Sequence, residues 1–242
     1  MYFLFGEICH IHTFKAANYL SLEQITTVSL FNYCGAAKLW AFGQMQFAHA
    51  RLRKVPGLEF YKMMGSGSGS GFSIQPDFST YAFFGIWTSV RDAELFFSSN
   101  AYLPFRKRSD KQKHLYLKAT KAHGEWDSQQ PFAMNGNYVE GNRIAVLTRA
   151  SISKRKMIRF WKNVPEVSRS IESAPGLIYS KGIGEWPIVE QATISLWENR
   201  EAMYNFAYRN PIHVDVIRKT RELGWYTEEL FAEFEVIREE GI

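Results

Sequence analysis

The chain offers six histidines as its main chemical resource, and no other reactive signature competes with them. His10 and His12 stand two apart, a spacing that could share a metal on one strand face, but they lie in an N-terminal stretch with no counterpart further on. His49 falls late in a helical segment, His114 in a basic strand-like run, and His123 before Gly124 at a turn, so each has a structural reading. His213 differs. The run "RNPIH" reads as a helix start, with Asn210 as N-cap and Pro211 as the first helical residue. His213 then sits in the first turn, where the positive end of the helix dipole disfavours a protonated ring. A neutral imidazole is the form that binds metals. Val216, Ile217 and Thr220 share its side of the helix, which is mostly apolar. A satisfied core histidine and a ligand both remain open on these grounds. One imidazole with no second protein ligand cannot hold zinc tightly, whereas haem needs only an axial ligand from the protein.

Other chemistries lack their residues. There is no H-E-x-x-H, no G-x-S-x-G and no C-x-x-C, and the two cysteines, Cys9 and Cys34, define no disulfide framework. The carboxylate pairs Glu228–Glu229 and Glu239–Glu240 read as solvated charge. The run "GSGSGSGFSIQPD" (65–77) has no Gly-Lys-Ser/Thr and breaks the dinucleotide spacing at Ser70, so it reads as a flexible loop or a lid over a cavity.

Composition narrows the class further. At 242 residues, 46% hydrophobic and 22% charged, the chain is globular. Its 19 Phe, 12 Tyr and 7 Trp suit either a thick core or a pocket for a large, flat or greasy ligand. A net charge of +5 is mild, and the clusters 106–113 and 153–159 read as solvated faces; no base-stacking motif accompanies them, so nucleic acid is not an expected partner. A basic surface could favour anionic membranes, and peripheral contact with the inner membrane stays open. No apolar run of about eighteen residues appears; the nearest, 33–50, is interrupted by Lys38. With no convincing signal peptide, a cytoplasmic setting is expected.

The elements that must position these residues repeat. "PGLEFYKMMGSG" (56–67) has a partner in "PGLIYSKGIGEW" (175–186), and each is followed by an apolar run ending in tryptophan, Trp87 or Trp197. That offset of 110 residues pairs Asn100 with Asn210 and Leu103 with His213. Each half opens with a strand-like stretch, 25–33 or 143–152, leading into an aromatic-bearing helix, 36–55 or 153–174, with Pro165 as a kink or break in the second. Candidate closing strands are 114–126 and 232–240. The order β-α-β-β-α-β predicts an α+β fold of tandem ferredoxin-like repeats. We divide the chain into an extension (1–24), a first repeat (25–126), a polar linker (127–142) and a second repeat (143–242) that carries His213.

Taken in order, "LWAFGQM" (39–45), "PGLEFYKMMGSGSGSGF" (56–72), "AVLTRASI" (145–152), "PGLIYSKGIGEWP" (175–187), "QATISLW" (191–197) and above all "FAYRNPIHVDVIRKTRELGWYTEELFAEF" (206–234) resemble the spheroidene monooxygenase family, over roughly residues 25–236. The resemblance implies a dimeric α+β barrel type of fold and a haem iron monooxygenase of carotenoid biosynthesis. It implies oxidation of an acyclic carotenoid at C-2, to a hydroxyl and then a keto group, with dioxygen and reduced ferredoxin. Carried over, the proximal iron ligand falls on His213. Arg149, in the matched "LTRA", becomes the candidate catalytic group facing haem or oxygen. Gln191, Trp197, Arg209 and Ile217 complete the implied cofactor-binding set. A haem enzyme acting on another apolar substrate, and a haem-free barrel that binds a hydrophobic ligand or forms a homo-oligomer, are the competing readings.

Overall fold

The structure, a computed structural model, describes residues 23–241 apart from 70, 72 and 187. Cys9, His10, His12 and almost all of the N-terminal extension therefore lie outside the described residues.

Eight strands close into one antiparallel barrel in the order β1-β3-β2-β6-β7-β5-β8-β4. The first half comprises β1 (Ile25–Asn32), α1 (Ala37–Phe47), α2 (His49–Leu52), β2 (Leu58–Gly67), β3 (Pro76–Trp87), α3 (Val90–Phe97), α4 (Leu103–Arg108) and β4 (Lys111–Gly124). The second comprises β5 (Ile144–Ile152), α5 (Met157–Glu172), β6 (Leu177–Trp186), β7 (Glu190–Trp197), α6 (Arg200–Arg209), α7 (Pro211–Leu223) and β8 (Tyr226–Gly241). The fold is α+β, and the two halves run through the same order of elements apart from the short α2, which the second half lacks. A long seam joins them between β4 and β8, from Lys113↔Gly241 to Gly124↔Leu230. A short one pairs Gly65 with Gly184 and Ser66 with Ile183.

Strand alternation sorts side chains between the barrel interior and the helix-covered outside. Val28 and Leu30 of β1, Ala145 and Leu147 of β5, and Ala192, Ile194 and Leu196 of β7 fill the interior. Their neighbours Phe31, Val146 and Trp197 pack outward against the helices. Segment 127–142, taken as the linker, begins beside the barrel mouth. Trp126 and Phe132 both sit in the interior cluster.

The repeated Pro-Gly turns have a steric reason. Gly57 and Gly176 adopt φ of +73° and +75°, and a Cβ on either would lie 2.5 Å from Asp92 or Ala202 of the following helix. Trp87 and Trp197 end equivalent strands, and their indole N–H groups donate to Thr27 Oγ1 (2.8 Å) and Ser195 Oγ (2.9 Å). Beyond this point the offset of 110 fails. The N-cap of α4 is Tyr102, not Asn100. Counted from the caps, His213 is therefore equivalent to Phe105 rather than Leu103.

Two further expectations shift. The helix over 157–172 runs on through position 165 rather than breaking there. The glycine-serine run is only partly a loop, because β2 continues through Gly67 and β3 begins at Pro76. The intervening turn reaches the second half: a Cβ at Gly71 would come within 2.7 Å of Ser168 Oγ on α5.

Candidate active site

Asn210 sets the orientation of α7. Its side-chain oxygen accepts from the backbone N–H groups of Ile212 (3.0 Å) and His213 (3.2 Å), and Gly224 closes the far end in the left-handed conformation. The His213 ring then turns back toward α6. Its Nδ1 donates to the carbonyl oxygen of Ala207 at 3.0 Å, and the ring packs on Phe206 with centroids 4.7 Å apart. That hydrogen bond leaves the lone pair on Nε2. Burial pushes the ring's pKa below the ordinary histidine value, against a smaller opposing pull from the Ala207 carbonyl. The ring is therefore neutral at neutral pH, as its place in the first helical turn requires.

His213 borders an open cavity of about 450 Å³ lined mainly by β5, β7, β8 and helices α5, α6 and α7. Trp197, Phe206, Phe160 and Phe231 supply aromatic wall. Trp225 adds a buried indole N–H with no hydrogen-bond partner among the described residues. The equivalent space in the first half is filled. Phe105 occupies the helical position of His213 and stacks on Phe31 at 5.7 Å, with Tyr102 stacked beside it. His114, read from sequence as a basic-strand residue, is buried in that packing. Its Nδ1 lies 2.8 Å from Ser29 Oγ and its Nε2 3.2 Å from Tyr102 Oη, and burial pushes its pKa down to about 4.

The sequence-derived set separates on this geometry. His213, Trp197 and Ile217 line the cavity together. Arg149 borders it too, but alternation along β5 places its side chain inward with Ala145 and Leu147. There its guanidinium pairs with Glu228 and, at 3.8 Å, with Glu190, and lies 5.7 Å from the Trp126 ring centre. Arg149 is only 2% exposed, and these carboxylates occupy it on the barrel side of the strand. Gln191 is at the far end of β7 from Trp197, beside a second cavity of about 890 Å³. Its amide bonds the carbonyl oxygens of Glu190 and Trp186. Arg209 is exposed at the end of α6 and borders neither cavity.

Three residues of the cavity escaped sequence reasoning. Arg221 lies at its rim. It follows His213 and Ile217 at successive steps of four, so the helical stripe through His213 already contained the signal. Tyr226 stands at the start of β8, and burial pushes its phenol up to about 12, which keeps it a neutral O–H donor. His123, read as a turn residue, belongs to β4, is solvent-exposed and stacks on Phe231 at 5.0 Å along the edge of the same cavity. No local pattern could find it, because it arrives from the first half across the β4–β8 seam. Gly71 of the first-half hairpin borders the cavity as well. His49 is remote from all of these: it opens α2, with Nδ1 3.0 Å from Tyr61 Oη.

The donor set suits a flat apolar prosthetic group with one axial ligand. It offers a neutral imidazole, aromatic walls and a cation at the rim. Among the described residues no cluster of three histidine, cysteine or carboxylate ligands could hold a bare metal ion.

No family model matches the chain. Among characterised proteins it is 32% identical over 221 residues to spheroidene monooxygenase of Rhodobacter capsulatus, covering 90% of this chain and 92% of that one. It is 32% identical over 217 residues to the enzyme of the same name from Cereibacter sphaeroides, covering 88% and 67%, and 28% identical to that of Rubrivivax gelatinosus, covering 90% and 84%. Among solved structures, aldoxime dehydratase superposes with a TM-score of 0.58 over 89% of this chain and 82% of that one. A second aldoxime dehydratase, in complex with butyraldoxime, gives 0.58 over 91% and 83%. At 11% identity each, these two share the fold alone.

Proposed function

Because the chain belongs to the spheroidene monooxygenase family, we propose that it is a haem-dependent oxygenase oxidising an acyclic carotenoid at C-2, with dioxygen as oxidant and reduced ferredoxin as electron donor. The observation that carries this reading is His213. A neutral imidazole, its Nδ1 held by a backbone carbonyl, borders an aromatic cavity in a chain whose relatives are monooxygenases. We read the two halves as duplicated ferredoxin-like units, one packed solid and one hollowed for a cofactor.

His213 would hold the iron through Nε2, with the Ala207 carbonyl fixing the tautomer and raising the ring's donor strength. Trp197, Phe206 and Ile217 would flank the porphyrin, and Arg221 at the rim is placed to meet a propionate. Bound haem supplies the oxidising power that an unactivated C–H bond demands. The chain's own part is to exclude water with its apolar walls and to hold protons. Tyr226, a neutral donor at working pH, is the cavity's group for that task. The Arg149 guanidinium, paired with Glu228 and Glu190, would border the same cavity from the barrel side of β5.

An absorption spectrum of the purified protein, before and after hemin is added, tests this directly with His213→Ala beside it. A Soret band in the wild type that shifts or vanishes in the variant is the expected outcome. A band identical in the two proteins would move the ligand elsewhere. A protein that stays colourless and refuses hemin would leave a haem-free barrel for a hydrophobic ligand.

A further inference from the structure

Helix α1 is apolar on both sides, with Ala37, Trp40 and Met45 packed on the core and a second apolar set turned to solvent. Leu39, Phe42 and Phe47 are 79%, 58% and 69% exposed, while Ala41 and Gln44 turn inward. Helices on globular surfaces keep the solvent side polar. Phe42 meets Phe78 of β3 edge to face at 6.1 Å, which extends the apolar surface onto the β2–β3 hairpin. Phe42, Phe47, Phe78 and Trp186 all border the larger cavity of about 890 Å³, so the exposed rings surround its mouth. Clusters of this kind mark interaction sites rather than ordinary surface.

Charge identifies the partner. Residues 36–55 contain Lys38, Arg51, Arg53 and Lys54 and no aspartate or glutamate. None of the four forms an ion pair with a described residue; Arg51 turns inward, onto Gln44 Oε1 (2.7 Å) and the Phe105 ring, which leaves Lys38, Arg53 and Lys54 for the surface. We propose that α1 and the β2–β3 hairpin form a docking face for an anionic lipid bilayer, with the larger cavity opening onto the membrane. The exposed aromatic rings would enter the acyl boundary while Lys38, Arg53 and Lys54 meet lipid phosphates. A second copy of the chain fits less well, because a two-fold contact through this face would bring like charges together. Among the described residues no helix is long and apolar enough to cross a membrane, so attachment through this face is peripheral. The proposal does not depend on haem.

Co-sedimentation of the full chain with phosphatidylcholine vesicles, with and without phosphatidylglycerol, provides the test. Three variants accompany the wild type: F42S/F47S, K38Q/R53Q/K54Q and a chain lacking residues 1–22. Binding to the anionic vesicles only, weakened about tenfold or more in each of the first two variants and retained in the third, is expected. The substituted side chains are solvent-facing or half-exposed, so near-ultraviolet circular dichroism should be unchanged and would expose any misfolding. No binding to either vesicle, or undiminished binding in both substituted variants, would overturn the proposal. So would loss of binding only on removal of residues 1–22, which would put the anchor there. A wild-type dimer that F42S/F47S dissociates, without lipid binding, would assign the face to a second copy.

Discussion

His213 and Arg149 both border one cavity, but the Arg149 guanidinium is held on the barrel side of β5 by two carboxylates. Arg149 is buried beside Trp126 and pairs with the partly exposed Glu228 and Glu190, so its removal breaks a pair whose cation is out of water. Arg149→Met is expected to lower unfolding free energy by about 3 kcal/mol, with part regained in Arg149→Met/Glu228→Gln. Both should keep the Soret position of the wild type after hemin loading. A Soret shift with unchanged stability would instead return Arg149 to the cofactor. His114 makes a separate prediction. Its pKa falls from 6.5 in the unfolded chain to about 4 in the fold, so protons bind the unfolded state more strongly. Its contribution is complete above pH 6.5 and is lost as pH falls from there towards 4, on the order of 3 kcal/mol in full. Urea titrations across that range should show the decline, and His114→Phe should flatten it.

At the scale of elements, the cap and the turn do the positioning. Asn210 satisfies the N–H groups of Ile212 and of His213 itself. Asn210→Ala is expected to cost about 1 kcal/mol in thermal or urea unfolding, and to weaken hemin binding because the first turn of α7 loses its anchor. Unchanged hemin affinity would mean that the Ala207 carbonyl alone orients the ring. This cap was readable from "RNP" without a structure, as were the paired Pro-Gly turns and the tryptophans that end β3 and β7. Each depends on a few consecutive residues whose backbone demands are local. The equivalence of His213 with Phe105 was not readable, and the sequence offset pointed to Leu103 instead. The connection ahead of α4 differs in length from the one ahead of α7, so a constant offset counts past the true N-cap, Tyr102.

At the scale of the molecule, the cavity beside His213 belongs to both halves. His123 and Gly71 come from the first and the helices around it from the second. The β4–β8 seam makes this so, and together with the short β2–β6 seam it makes one closed sheet of the two halves. Chains covering 25–142 and 143–242, expressed separately, would expose the edges of β2, β4, β6 and β8. They are expected to aggregate or stay unfolded alone, and the second should bind hemin far more weakly than the full chain. A soluble 143–242 fragment with the full Soret band would show that the site is complete within one half.

By itself, the sequence determined the α+β class, the doubled order of elements, the helix start at Asn210 and His213 as the ring to watch. Those features follow from periodicity, capping and turn chemistry, which act over a few residues. Only the tertiary structure decided that the barrel closes, that β5 turns Arg149 inward, and that Gln191 and Arg209 stand apart from His213 while His123, Tyr226 and Arg221 join it. Strand alternation assigns a side chain to one face or the other, but which face looks onto a cavity depends on what packs there. In the first half that space is filled by Phe105 and its stacked neighbours, and in the second it is open.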